Sequence, residues 1–190
     1  MLIVKDDHGW TPLHHAVYHN SWLATTEILN EDFSIGYHEL ILENDINSSA
    51  IHIAAGLGHC ETMKVLMEKC PGCSDFIDNK GRSILHVAVE NRKDKAIEFI
   101  FQDKTLTNLI NQKDRNGNTP NHLLVASDFE KVERLIDSRV NINVLNNEKL
   151  TPLDKLSSDD QRARLIKVHV FIVNSLLAES YHFLPTISFI

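Results

Sequence analysis

Glycine and proline are scarce in this sequence, 7 and 5 among 190 residues. That is about half the usual share and argues for long helical elements over a turn-rich all-β fold. Neither sign of charge is in large excess: 19 Lys+Arg stand against 26 Asp+Glu, a formal net charge of −7. There is no basic stripe. Phosphate binding depends on clustered lysine and arginine, so nucleic acid is excluded as the main partner. Cysteine is limited to Cys60, Cys70 and Cys73. An odd number, in a chain long enough to bury a core, fits a reducing, cytoplasmic compartment better than a disulfide scaffold. Long apolar runs are missing too. The nearest candidate for a membrane span, 165–190, carries Lys167 and Glu179 and is interrupted by His169, Asn174, His182 and Pro185, which reads as a final helix over 161–178 and an apolar tail over 179–190. The opening residues Met1 to Asp6 turn acidic too soon for a signal peptide.

What the sequence does have is a repeat. Thr11-Pro12-Leu13-His14, Ser49-Ala50-Ile51-His52, Ser83-Ile84-Leu85-His86, Thr119-Pro120-Asn121-His122 and Thr151-Pro152-Leu153-Asp154 align, and their fourth residues are spaced 38, 34, 36 and 32 apart. Each unit has a physical reading. A turn such as Asp78-Asn79-Lys80-Gly81 or Asp114-Arg115-Asn116-Gly117 supplies an Asx side chain for its own backbone and a glycine able to take positive φ. Thr or Ser then caps a short helix, with Pro at its first position in three units. That helix is rich in small residues, as in Ile53-Ala54-Ala55. A second helix follows with helical apolar spacing: Met63, Leu66 and Met67, then Ala96, Ile97, Phe99 and Ile100, then Val132, Leu135 and Ile136. Such a pair buries its apolar face only by stacking on neighbours.

A period near ~33 with a T-P-L-H core resembles the ankyrin repeat. The resemblance implies an all-α solenoid of about four full repeats, near 6–43, 44–77, 78–113 and 114–145, with a degenerate partial repeat over 146–160, so that 1–160 forms one array. The units depart from the pattern in places. Asn47 and Lys149 replace the turn glycine, Asp154 replaces the histidine, and Asn121, Leu124 and Asp128 predict local distortion in the fourth unit. The wording His52-Ile53-Ala54-Ala55-Gly56-Leu57-Gly58-His59, Lys69-Cys70-Pro71 and Leu85-His86-Val87-Ala88-Val89-Glu90 also resembles plant ankyrin-repeat membrane proteins of the accelerated-cell-death type. In those, a cytosolic array precedes a transmembrane domain and serves signalling and defence. That domain has no counterpart in this sequence, so membrane contact would run through a region outside it.

The remaining constellations support little chemistry. His14, His52, His86 and His122 sit three residues after each cap, where the ring can bond the cap hydroxyl and the next turn. His15 and His19 have zinc-helix spacing, but Ala16 stands where a zinc protease carries Glu. Cys70-Pro71-Gly72-Cys73 follows a helix and so sits at its negative pole, which does not activate a thiol; these are read as surface loop thiols. Asn47-Ser48-Ser49 is a chance sequon at a repeat turn, and Gly56-Leu57-Gly58 ends a helix with no preceding strand. The expected function is therefore a non-enzymatic protein-binding module with no metal and no cofactor. A small metal-binding or redox protein using the His and Cys residues, and a fragment of a membrane channel or transporter, are the alternatives.

A protein partner is expected at the turn tips and the exposed side of the first helices, the positions used by arrays of this kind. Matched unit by unit, these are Asp7, His8, Trp10, Tyr18 and His19; Asp45, Ile46, Ser48 and Leu57; Asn79, Lys80, Arg82, Glu90 and Asn91; and Arg115, Asn116, Asn118 and Ser127. Trp10, Tyr18 and Arg82 are the residue types that most often dominate binding energy. All three are expected to weaken binding when truncated while barely moving the melting temperature.

Overall fold

A computed structural model describes residues 5–7, 9–37, 39–40, 48–126 and 137–155. The expected final helix over 161–178, the tail over 179–190, the second helix of the fourth unit, and His8, Asp45, Ile46, Ser127 and Asp128 lie outside the described residues.

The helix pairs form where the capping pattern places them. In the first unit α1 (Pro12–Tyr18) leads into α2 (Trp22–Glu31), in the second α3 (Ala50–Leu57) into α4 (Cys60–Lys69), and in the third α5 (Ile84–Glu90) into α6 (Asp94–Gln102). The first helix of the fourth unit is α7 (Pro120–Ala126), and a 3-10 turn, Pro152–Lys155, stands at the equivalent place in the fifth. Thr11, Ser49 and Ser83 have extended backbone at the N-cap, and Pro12 fits the first position of α1, where its missing N–H is not needed. α1, α3 and α5 then stop at a left-handed residue: Asn20 (φ 56°), Gly58 (φ 80°) and Arg92 (φ 55°). The next amide reaches five residues back, from Ser21 to Ala16, His59 to Ala54 and Lys93 to Ala88, which satisfies the terminal carbonyls and turns the chain into the second helix.

First helices stack as α1, α3, α5 and α7, and second helices as α2, α4 and α6. Small residues allow the close approach: a Cβ added at Gly56 would come within 3.0 Å of Val87. A single buried cluster runs along the stack, with Leu13, Ile51, Met63, Leu66, Ile84, Leu85, Ile97, Ile100, Leu109 and Ile110 among its members. Each such side chain contributes about 1.5–3 kcal/mol on burial. The exception to an all-helical chain among the described residues is an antiparallel ladder of two residues per strand, β1 (Glu39–Leu40) with β2 (Ser48–Ser49).

Two expectations need correction here. Cys70 and Cys73 are buried, 0% and 1% exposed, not surface thiols. The loop after α4 folds back onto the core, Cys70 Sγ donates to Phe33 O at 3.4 Å, and a Cβ on Gly36 would collide with Cys70 Sγ. Burial pushes the thiols up, Cys73 to about 12, so neither is a thiolate at neutral pH. The predicted distortion of the fourth unit is also absent from α7. Asn121 is buried and its amide donates to Ile110 O at 3.1 Å, so a polar residue fills a core position without an unmet group.

The fifth unit shows how the pattern survives substitution. Asp154 takes the histidine's place, with Oδ2 accepting from Thr151 N (2.8 Å) and Thr151 Oγ1 (2.7 Å). Lys149 adopts φ 61° where the other described turns have Gly9, Gly81 and Gly117 at φ 80°, 74° and 74°. A side chain in that region is strained by roughly 1–2 kcal/mol. Lys149→Gly is therefore expected to raise the unfolding free energy by about 0.5–1 kcal/mol after its extra unfolded-state entropy is counted, measured by urea titration.

Candidate partner-binding surface

The turn tips are built alike. The amides of Asp6, Asp78, Asp114 and Asn146 donate to the carbonyls of Trp10, Arg82, Asn118 and Leu150, at 2.9, 3.0, 2.9 and 3.0 Å. Inside each tip the Asx oxygen accepts backbone amides: Asp78 Oδ1 from Lys80 and Arg82, Asp114 Oδ1 from Asn116 and Asn118, Asn146 Oδ1 from Glu148 and Leu150, Asp6 Oδ1 from Trp10. Adjacent tips are then tied to one another. Arg115 N donates to Lys80 O and Asn147 N to Asn116 O, both at 3.0 Å. Glycine is required at 81 and 117 because a Cβ there would lie 2.9 Å from Arg115 N and 2.8 Å from Asn147 N, the atoms that make or flank these ties.

A histidine spine runs behind the tips. Ser83 N and Thr119 N donate to Nδ1 of His86 (3.2 Å) and His122 (3.0 Å), so the ring proton sits on Nε2. Nε2 in turn donates to a carbonyl of the following unit: His52 to Arg82 O (3.1 Å), His86 to Asn118 O (3.0 Å) and His122 to Leu150 O (3.0 Å). Burial lowers all three pKa values, against the raising effect of the carbonyls that accept from the rings, which keeps the rings neutral near pH 7. With both ring nitrogens engaged, these histidines are architectural. Excess chelator is accordingly expected to leave the melting temperature unchanged; a drop of many degrees would mean that a metal contributes to folding.

On this frame the expected contact residues separate. Asp7, Tyr18, His19, Lys80, Glu90, Asn91, Arg115 and Asn116 are exposed, while Trp10, Leu57 and Asn79 are half-buried. Ser48 lies in β2. In the first unit Trp10 and Tyr18 meet edge to face at 5.3 Å, His15 lies 5.1 Å from Trp10, and His19 lies 5.3 Å from Tyr18. Nearly half of Tyr18 remains exposed (49%). These rings therefore pack on one another and still present a face.

Two of the expected contact residues are bonded into the fold. Asn118 is 7% exposed, and its Oδ1 accepts from Asn146 Nδ2 at 2.8 Å, which links two tips. Arg82 keeps only 11% side-chain exposure, bonding Asp78 through Nε and Nη2, both at 2.6 Å, and Glu90 through Nη1. Burial opposes ionisation of Asp78, but the Arg82 hydrogen bonds and charge outweigh it and hold the carboxyl below its usual range. With this enclosure, Arg82→Ala is expected to cost stability as well, where the sequence alone suggested a small effect. Sequence reasoning did not find the tip-to-tip ties, since they join residues about thirty positions apart, through backbone atoms and through the Asn118 and Asn146 side chains.

Among the described residues no helix is long and apolar enough to cross a membrane, and no group of three or more His, Cys, Asp or Glu side chains is placed to hold a metal. A family model for ankyrin repeats, in three copies, matches residues 28–110. The chain is 24% identical over 145 residues to the nuclear factor NF-kappa-B p105 subunit of Gallus gallus, covering 75% of this chain and 15% of that protein. It is 25% identical over 122 residues to the target of rapamycin complex 2 subunit AVO2 of Saccharomyces cerevisiae, covering 63% and 27%. With human ankyrin repeat and SOCS box protein 3 it shares 35% identity over 65 residues, covering 34% and 12%. The chain thus spans a small part of the length of these relatives.

Proposed function

We propose that this chain, whose residues 28–110 match ankyrin repeats, is a non-enzymatic protein-binding module whose partner lies along the tips and the exposed side of the first helices. The observation that carries this reading is the tip row itself. Backbone ties between tips hold Lys80, Arg115 and Asn116 exposed in a fixed relation, so little ordering entropy is lost when a partner docks. The Trp10–Tyr18 pair supplies an amphipathic aromatic face of the kind that dominates interface energetics. The wording of the second and third repeats, with its resemblance to plant ankyrin-repeat membrane proteins, supports a place in plant signalling or defence at the cytosolic face of a membrane. The remaining expected contacts, Asp7, His19, Ser48, Leu57, Asn79, Glu90 and Asn91, are proposed with them on the unit-by-unit match of the sequence, as are His8, Asp45, Ile46 and Ser127, which lie outside the described residues.

The test begins with capture of partners from a plant lysate and their identification by mass spectrometry. Trp10→Ala and Tyr18→Ala are then expected each to weaken binding of the identified partner by about 2 kcal/mol, roughly 30-fold. The melting temperature should shift by only a few degrees, because Tyr18 is half exposed and Trp10 fixes its turn through backbone atoms. Affinity unchanged in both variants would overturn the reading.

A further inference from the structure

The second helices leave an opening of their own. Between α4 and α6 and the segments that follow them lies a cavity of about 520 Å³, in the size range that takes a small ligand or a few side chains, about 300–1,000 Å³. None of its lining belongs to the tips or to the first helices. Met67, Phe99 and Leu106 supply its apolar lining; Leu106 is buried, and Met67 and Phe99 pack against the core while each keeps an accessible part. Glu68, Asp75 and Asp103 come to the same cavity from three separate segments. Asp75 accepts from Asn108 Nδ2 at 3.1 Å, and Asp103 accepts from the amide and hydroxyl of Thr105. Among the described residues no lysine, arginine or histidine pairs with any of these three carboxylates. The single cation in the lining, Lys64, has its ammonium 3.6 Å from Glu61.

We propose that this groove is a second docking site, for a partner segment that presents apolar side chains flanked by lysine or arginine. The occupant must offer apolar surface to cover Met67 and Phe99, and methionine adapts its shape to varied side chains. It must also carry positive charge, because acidic segments would be repelled by three carboxylates that pair with no cation among the described residues. A second copy of this chain is the poorer fit: it brings a net charge of −7 to an already acidic groove. The proposal stands on residues that the tip-surface reading does not use, so each can fail alone.

The probe is a short synthetic peptide of alternating leucine and arginine, with one control in which serine replaces leucine and another in which glutamate replaces arginine. Titrated into the isotope-labelled full chain, the Leu/Arg peptide is expected to shift amides over 64–75 and 99–106 and to bind at least about tenfold tighter than either control. Glu68→Gln combined with Asp75→Asn should weaken it by about tenfold without changing the melting temperature, since both side chains are exposed and asparagine retains the oxygen that Asn108 bonds. Tyr18→Ala should leave it unchanged. Equal binding of the serine control, indifference to the double variant, or shifts centred on 78–82 and 114–118 would overturn the proposal. So would groove shifts that grow with protein concentration in the absence of peptide, which would assign the face to self-association.

Discussion

Arg82→Ala is expected to lower the unfolding free energy by about 3 kcal/mol, the usual cost of stranding one member of a buried ion pair. The Asp78 side chain is 0% exposed and faces the Arg82 guanidinium through two bonds of 2.6 Å. Removing the cation leaves a buried carboxylate with only the amides of Lys80 and Arg82 for compensation. The loss should spread beyond one repeat, because Arg82 O accepts from His52 of the preceding unit. Glu90→Ala is the control. Its side chain is 50% exposed, so the other half of the Arg82 bridge should contribute no more than about 0.5–1 kcal/mol. Chemical denaturation of the two variants checks both figures. Equal effects would mean that the Asp78 pair does not hold the third tip.

His86→Ala is expected to cost about 3 kcal/mol, from the stranded Ser83 amide, the lost bond to the next unit and the cavity left behind. Ser83 N loses its acceptor and is buried, while Asn118 O loses one of its two donors and keeps the Asp114 amide. The same spine sets a pH dependence. His52, His86 and His122 have folded pKa values below their ordinary 6.5, so beneath pH 6.5 the unfolded chain takes up protons that the folded chain refuses. Stability is therefore complete above pH 6.5 and declines as pH falls, by at most about 1.4 kcal/mol per pH unit for each such proton, until the folded values are reached. Asp78 and Asp137 act later. Their folded values lie below 3.8, so their contribution is present above 3.8 and lost as pH falls further. Melting curves from pH 7.5 down to 4 should show the histidine phase first, and His86→Ala should flatten it. A melting temperature independent of pH between 6.5 and 5 would refute the neutral-spine assignment.

How much of this was legible in advance follows from what kind of interaction each feature uses. The capped first helices were readable from Thr11-Pro12, Ser49 and Ser83, because capping is local chemistry between residues three apart. The cap-to-histidine bond was readable for the same reason, and the fold class followed from repeating that local pattern along the chain. Even Asp154 for histidine keeps a local bond to its cap. The left-handed ends at Asn20 and Arg92 were harder to see, since neither residue requires positive φ and the stacking of helix pairs imposes it. The burial of Cys70 and Cys73 and the enclosure of Arg82 could not be read locally at all. Cys70 meets Phe33 and Gly36 from the preceding unit, and Arg82 is held between Asp78 of its own tip and Glu90 of α5. Local sequence determined the helices, caps and turns of each unit. Tertiary structure alone decided which polar groups became structural, which aromatic faces stayed exposed and where the α4–α6 groove opened, because each depends on the distance between units rather than on residues within one.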